Sequence, residues 1–159
     1  SFRGIYAIEL SEDGLSLKSG SSPVQIAGTA YEGTYIHKRG GYYYMFASIG
    51  SCCEGLKSTY TTVVGRSTSL FGPYLDKKGQ SMMDNHHEIL IHKNDSFVGT
   101  GHNSEIVSDN AGTDWLFYHA VSVANPDGRV LMLDKIDWID GWPSVEGNSP
   151  SVKSEKPRF

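Results

Sequence analysis

Apolar and polar residues alternate with a period of two through most of this chain, and glycine, proline or polar residues separate the alternating runs. This period is typical of β-strands that bury one face, and it predicts strands rather than helices throughout. The two glycines after Arg39 predict the tight turn of a hairpin. The predicted strands lie at residues 5–10, 24–26, 35–38, 42–48, 58–66, 88–92, 104–107, 115–120 and 129–136.

The strands form two similar units. Glu32 begins one and His102 begins the other, 70 residues later, and in each a polar residue is followed by a strand, a turn and an aromatic strand. Repeated antiparallel units of this kind are typical of the blades of a β-propeller, with a β-sandwich as the alternative. A propeller needs at least about four blades to close. Because the chain opens in the middle of an alternating run, we expect it to be the second part of a larger fold.

Composition and charge argue against two classes of binding partner, nucleic acids and membranes. The 18 glycines, 6 prolines and 11% aromatic residues agree with many short strands joined by turns. The net charge of −4 is spread without a basic stripe, so a nucleic acid is not expected as a partner. No apolar run is long enough to cross a bilayer, and no membrane partner is expected.

Two residues are candidates for chemistry because of their places in the repeated units. Glu32 stands at the first position of an inner strand, where a carboxylate can face a central channel and partial burial can raise its pKa for acid catalysis; a solvated turn glutamate is the alternative. His102 occupies the equivalent position of the next unit. It could bind a metal, orient a carboxylate or cap a turn, and Asn103 and Ser104 could support its ring.

Other motifs predict structure rather than chemistry. Cys52 and Cys53 are adjacent, and we expect free thiols, with a strained vicinal disulfide as the alternative. The histidines of segment 86–92 lack the spacing of a zinc-protease helix, and the alternation there predicts a loop entering a strand. Segment 134–142 lacks the pattern of a calcium loop and predicts an edge strand and a turn, with Trp138 and Trp142 used for packing.

Several segments together resemble glycoside hydrolase family 43, most closely its endo-acting α-1,5-L-arabinanases. The resemblance covers nearly the whole chain in order, and the tyrosine-rich hairpin followed by paired cysteines is its most specific part. Two positions depart from the usual pattern: Thr34 stands where the family has proline, and Glu54 stands where it has arginine. The matching segments are 32–36, 38–46, 52–55, 58–60, 64–67, 72–74, 79–83, 99–102 and 140–143.

The resemblance implies an all-β fold, the C-terminal half of a five-bladed β-propeller. Residues 1–27 would end blade 3, 28–95 would form blade 4, 96–145 would form blade 5, and 146–159 would be a tail. It further implies that Glu32 is the general acid of an inverting hydrolysis and that His102 helps to hold a calcium ion, partly through water. The remaining candidates for contact with substrate are Ser1, Phe2 and Cys52.

The same resemblance implies what the chain needs from elsewhere. An N-terminal chain with blades 1–3 would supply the base aspartate and the aspartate that modulates the acid, so we expect no activity from residues 1–159 alone. The implied substrate is α-1,5-linked arabinan, and the implied location is extracellular or in the cell envelope, with any signal upstream. The alternatives are an exo-acting arabinofuranosidase or β-xylosidase of the same family, or a non-catalytic sugar-binding propeller fragment.

Overall fold

The computed structural model describes residues 3–159, and these residues form an all-β structure with short 3-10 turns at Gly55–Lys57, Met82–Asp84 and Glu146–Asn148. None of the helices in this range is long and apolar enough to span a membrane. The strands are β1 (Ile5–Ala7), β2 (Val24–Ala27), β3 (Glu32–Arg39), β4 (Tyr42–Ile49), β5 (Thr61–Ser67), β6 (Glu88–Ile91), β7 (Phe97–Gly101), β8 (Ile106–Ser108), β9 (Asp114–Ser122), β10 (Arg129–Ile139) and β11 (Trp142–Ser144).

Two antiparallel sheet units account for most of the chain. In the first unit β3, β4, β5 and β6 pair in sequence order, and Gly40 and Gly41 form the predicted hairpin turn with φ angles of +55° and +83°. In the second unit β9, β10 and β11 pair in order, while β7 and β8 both lie along the free side of β9. Strands β7 and β8 therefore act as one inner strand that is interrupted between Gly101 and Ile106.

The opening segment forms a separate two-stranded sheet. Strand β1 stops at Ala7 rather than continuing to residue 10, because Leu10 bridges instead to Leu17 across a turn. The sheet of β1 and β2 rests against the first unit, where the backbone of Gly28 donates to the carbonyl of Met82 at 2.8 Å. A buried cluster lies under this contact, formed by Ile26, Ala27, Tyr31, Met45, Ala47, Val63, Tyr74 and Met82.

The larger core lies between the two units and holds them side by side. It joins residues of both sheets, among them Tyr44, Phe46, Val64, Leu116, Tyr118, Met132 and Ile136. The carboxylate of Asp114 adds a polar link, because it accepts hydrogen bonds from Arg39 Nη1 at 2.8 Å and from Trp138 Nε1 at 2.7 Å. Trp142 is buried and Trp138 is half-buried against this core, so both tryptophans pack as predicted. Strand β10, predicted as an edge, pairs on both sides, and β11 follows it.

One face of the second unit is covered only in part within residues 3–159, since Trp115 and Val121 on this face are buried but Leu131 is not. Alternate side chains of β9 and β10 face the larger core, and those between them face outward. On the outward face Leu131 pairs with His119 and is 77% exposed, and Leu133 pairs with Phe117. An apolar sheet face of this kind requires a further layer to bury it.

The tail after β11 is part of the fold. The backbone of His92 donates to the carbonyl of Asn148 at 2.9 Å, and the side chain of Asn94 donates to the carbonyl of Pro150 at 2.8 Å. The backbone of Arg158 donates to the carboxylate of Asp109 at 3.1 Å. These bonds fasten residues 146–159 to both sheet units.

Candidate functional site

Glu32 opens the first inner strand at an irregular point. It pairs with Ser48 on β4, and the register then shifts before Tyr35, so the backbone bulges directly after Glu32. Gly33 fills the bulge with a φ angle of +57°, which a residue with a side chain rarely adopts. The Glu32 side chain is exposed rather than partly buried, since β3 has β4 as its only strand neighbour among the described residues.

His102 lies at the matching irregular point of the second inner strand, in the break between β7 and β8. It has a φ angle of +53°, and its backbone N–H donates to Ser48 Oγ at 2.7 Å. Its ring lies against Gly33, where a Cβ atom would be 3.1 Å from His102 Cγ. The structure therefore brings the two predicted residues together: Ser48 pairs with Glu32 and bonds to His102, and Gly33 touches the His102 ring.

Two aromatic residues complete the cluster and were not identified from the sequence. The His102 ring stacks on the ring of His119, with centroids 6.2 Å apart, and His119 stacks on Tyr60 at 5.7 Å. Tyr60 fits closely beneath the same break, because a Cβ atom on Gly101 would be 2.3 Å from Tyr60 Cδ1. We call Tyr60, His119 and His102 the ring stack.

The ring stack is partly sealed from water. Burial raises the pKa of the Tyr60 phenol, and the neighbouring Glu32 carboxylate adds to the rise. Burial lowers the pKa of the His119 imidazole, and the positive charges of Arg129 and His102 act in the same direction. Among residues 3–159, the Tyr60 hydroxyl and His119 Nδ1 are buried polar atoms without a hydrogen bond of ordinary geometry. Such atoms are costly in a folded protein, and they often mark a site.

The signals for these residues were weak in the sequence. His119 is a polar residue inside an otherwise aromatic strand, and this interruption could have drawn attention to it. Tyr60 follows a loop, and nothing local distinguishes it from the other tyrosines. Asn103 does not support the His102 ring as expected, because its amide donates to the carbonyl of Ser104 at 2.8 Å.

The expectation of free thiols at Cys52 and Cys53 is wrong. The two residues form a vicinal disulfide in the loop between β4 and β5. The backbone on both sides is held by one buried hydroxyl: Ser58 Oγ donates to the carbonyl of Cys52 at 3.2 Å and accepts from the N–H of Glu54 at 3.1 Å. Glu54 itself is exposed.

The other candidates lie apart from the cluster or beyond the description. Ser1 and Phe2 are outside the described residues. Segment 86–92 is a loop that enters β6, as predicted, and His87 Nδ1 lies 3.0 Å from the hydroxyl of Tyr31.

The residues near His102 fit a metal ion only in a limited way: no group of three or more His, Cys, Asp or Glu side chains in residues 3–159 could hold one. The nearby Asn103 Oδ1, however, is a buried oxygen without a partner.

Three comparisons with known proteins agree with one another. Residues 1–143 match the sequence model described as "Glycosyl hydrolases family 43". The chain is 43% identical over 122 residues to an extracellular exo-α-(1→5)-L-arabinofuranosidase, ArbA, from Cellvibrio japonicus, covering 76% of this chain and 35% of that protein. It is 41% identical over 118 residues to an extracellular endo-α-(1→5)-L-arabinanase from Bacillus subtilis, covering 74% of this chain and 35% of that protein.

The solved structures show the same fold. The Cellvibrio cellulosa α-L-arabinanase in complex with arabinohexaose is similar with a TM-score of 0.85 and 34% identity, covering 92% of this chain and 51% of that chain. An endo-arabinanase from Bacillus licheniformis gives a TM-score of 0.79 and covers 89% and 48%. The chain thus spans about half the length of these structures. This confirms the predicted fold, the C-terminal half of a five-bladed β-propeller.

Proposed function

Because this chain belongs to glycosyl hydrolase family 43, we propose that it is the C-terminal half of an enzyme that hydrolyses α-1,5-linked L-arabinan with inversion. The observation that carries the proposal is the meeting of Glu32 and His102 at the irregular points of the two inner strands. Ser48 pairs with Glu32 and bonds to His102, and Gly33, which directly follows the acid, lies against the imidazole ring.

Glu32 is the general acid in this proposal. Its carboxyl proton passes to the oxygen of the leaving sugar as the glycosidic bond breaks, and the carboxylate remains on β3. Inversion requires a second carboxylate about 6.5–9.5 Å away that activates water on the opposite face of the sugar. The N-terminal half supplies that base in our proposal, so the two halves share one site.

Calcium is part of the proposal as an ion held mainly by water. His102 would contribute its exposed imidazole, and the neighbouring amide oxygen of Asn103 could accept a hydrogen bond from a bound water. A bound calcium ion would supply positive charge that stabilises nearby carboxylates in their ionised form. Calorimetric titration of the purified protein with calcium chloride tests this: binding should be lost in His102→Ala and kept in His92→Ala, and equal binding in both variants would refute it.

The outward face of β9 and β10 supports the need for an N-terminal half. Leu131 and Leu133 leave apolar surface open there, next to the His119 ring of the site. Burial of this face by another blade would complete the core and bring the missing carboxylates to Glu32. Co-purification of the two halves followed by intact mass measurement tests the proposal. An active, monodisperse monomer of residues 1–159 would overturn it.

The activity is tested by Glu32→Gln in the protein that contains both halves. The amide keeps the size of the side chain but cannot donate the required proton, so turnover of linear arabinan should fall by about 10²- to 10⁴-fold. Glu12→Gln is the matched control, since Glu12 lies in an exposed turn of the first two-stranded sheet. Unchanged turnover in Glu32→Gln would favour a sugar-binding protein without catalysis.

Exo action is the second candidate. One relative is named an exo-arabinofuranosidase, and an exo-1,5-α-L-arabinanase from a bovine ruminal metagenomic library is similar with a TM-score of 0.82. Early release of long oligosaccharides from linear arabinan would support endo action, and release of single short products would support exo action.

We further propose that the enzyme acts outside the cell, because both of these relatives are named extracellular. Detection of the protein in the culture medium tests this location.

A further inference from the structure

We infer that Tyr60 and His119 are positioning residues for the general acid, a role that rests on the proposed function of Glu32. The ring stack joins the two predicted site residues through a second route, separate from the bulge at Gly33. One end of the stack is the His102 ring, and the other end is the Tyr60 phenol, which lies beside the Glu32 carboxylate. The cluster is thereby closed into a loop of contacts.

The backbone is shaped around Tyr60. Gly101 has no space for a Cβ atom, which would lie 2.3 Å from Tyr60 Cδ1 and 2.7 Å from Cε1. Gly101 also pairs with His119 across β7 and β9, so the strand register places the His119 ring beside that of Tyr60. Any side chain at position 101 would push the Tyr60 ring away from its present place. The sequence of glycine then histidine thus accommodates the stack and starts the break in the inner strand.

The Tyr60 hydroxyl has few possible partners. Tyr60 is 1% exposed, and within residues 3–159 its hydroxyl forms no hydrogen bond of ordinary geometry. Its polar neighbours are Glu32 and Ser48. Ser48 Oγ accepts the N–H of His102 and keeps its own O–H, which can donate to the phenol oxygen and leave the phenol O–H for the carboxyl. The carboxyl of Glu32 is therefore the group to which the phenol O–H can donate a hydrogen bond. A small movement of the exposed Glu32 side chain would complete the bond, which would hold the carboxyl in one orientation at the mouth of the site.

The ring of His119 holds the rings of Tyr60 and His102 in place relative to each other. Its ring lies between the rings of Tyr60 and His102, and its planes are tilted from theirs by 21° and 28°. A flat ring is what the stack requires at this position. Nδ1 of His119 has no hydrogen bond to lose among the described residues, and Nε2 has only a long, exposed contact of 3.4 Å with Arg129 Nη1. A flat apolar ring should accordingly replace the imidazole, and a small side chain should not.

The experiment compares two substrates in the active protein that contains both halves. Linear arabinan needs a proton on its leaving oxygen, whereas a nitrophenyl arabinoside with a good leaving group does not depend on general acid catalysis. Tyr60→Phe keeps the ring and removes the hydroxyl. We expect kcat on arabinan to fall about tenfold, the size of one lost hydrogen bond to a charged group, with KM and the aryl substrate unchanged.

Four reference variants make the outcomes decisive. Tyr74→Phe is the matched control, because it removes the hydroxyl of another fully buried tyrosine, one that donates to the carbonyl of Leu70 at 2.7 Å. His119→Phe should retain kcat on arabinan and His119→Ala should lose it. Glu32→Gln separates the two hypotheses: if it is inactive on arabinan while Tyr60→Phe is unaffected, only the positioning role fails, and if it is active, the proposed function fails. An equal loss on both substrates in Tyr60→Phe would also overturn the positioning role.

Discussion

Replacing Asp114 tests whether one buried carboxylate stabilises the second sheet unit, to which it also links Arg39 of the first unit. Its side chain is 1% exposed and accepts hydrogen bonds from Arg39, Trp138 and the hydroxyl of Ser108. Asp114→Ala removes all three bonds and leaves an indole N–H and a hydroxyl without their partner. Asp114→Asn keeps the shape, with its amide oxygen toward Arg39 and Trp138 and its amide nitrogen toward Ser108, whose hydroxyl can accept.

The magnitude follows from the exposure of the donors. Hydrogen bonds to a charged group contribute about 1.5–3 kcal/mol each when both partners are buried. The Arg39 side chain is 44% exposed, so water recovers much of its bond and that pair contributes about 1 kcal/mol or less. Ser108 is exposed and Trp138 is half-buried, so their two bonds count at the lower end of that range, and Asp114→Ala should lower the free energy of unfolding by about 3–4 kcal/mol. Asp114→Asn should cost about 1 kcal/mol, since it loses charge but few partners.

Urea unfolding followed by tryptophan fluorescence measures both variants. All three tryptophans lie in the second unit, so the signal reports on the unit that Asp114 stabilises. Arg39→Gln serves as a control and should cost about 1 kcal/mol or less. Two results would refute the reasoning. A loss below about 1 kcal/mol in Asp114→Ala would show that the hydrogen bonds contribute little, and an equal loss in Asn and Ala would show that charge rather than bond geometry matters.

Three further predictions concern buried polar groups. Thr34→Val should raise the free energy of unfolding by about 1 kcal/mol in urea titrations, because Thr34 Oγ1 is buried without a partner; a decrease would show that the hydroxyl is satisfied by water. Asp109 should drive acid unfolding: burial raises its pKa, but donors that include the backbone N–H groups of Thr113 and Arg158 outweigh burial and hold the pKa at about 2. A carboxyl with a lowered pKa stabilises the fold above its unfolded pKa near 3.9, and this contribution is lost as the pH falls from about 4 to about 2. Circular dichroism should show a flatter acid transition in Asp109→Asn, and an unchanged transition would contradict the assignment. Asn94→Ala should lower the free energy of unfolding by about 2 kcal/mol and expose the tail to proteases, as its amide fastens residues 149 and 150; Asn125→Ala, an exposed side chain, should do neither, and equal protease resistance would refute the role of Asn94.

Local patterns were sufficient for most of the strands, but the prediction omitted β7 and β11 and began the first inner strand at residue 35 rather than at Glu32. The alternation in segments 42–48 and 115–120 predicts β4 and β9 because a period of two places one face in the core, whatever the partner is. Gly40 and Gly41 predict the hairpin turn for a similarly local reason, since their φ angles need no help from distant residues. The resemblance of the sequence to a family then identified Glu32 and His102.

Contacts between residues that are distant in the sequence could not be predicted from local patterns. Tyr60 and His119 lie far apart in the sequence, and they meet only because β5 and β7 pair at Thr61 and Thr100 and because β9 lies beside β7. The disulfide of Cys52 and Cys53 lies in a loop whose backbone is bonded by the hydroxyl of Ser58, six residues away from Cys52, and the local sequence did not predict this contact.

The sequence alone therefore determined the class of fold, most of its strands, and two residues of the candidate site. These features depend on the periodicity of side chains and on motifs, both of which are short-range. The tertiary structure decided which rings lie beside Glu32 and His102, how Asp114 links Arg39 to the second unit, and which face of β9 and β10 stays partly open. Those outcomes depend on strand register and on the approach of residues up to 75 positions apart, as in the pair of Arg39 and Asp114, and no local pattern encodes them.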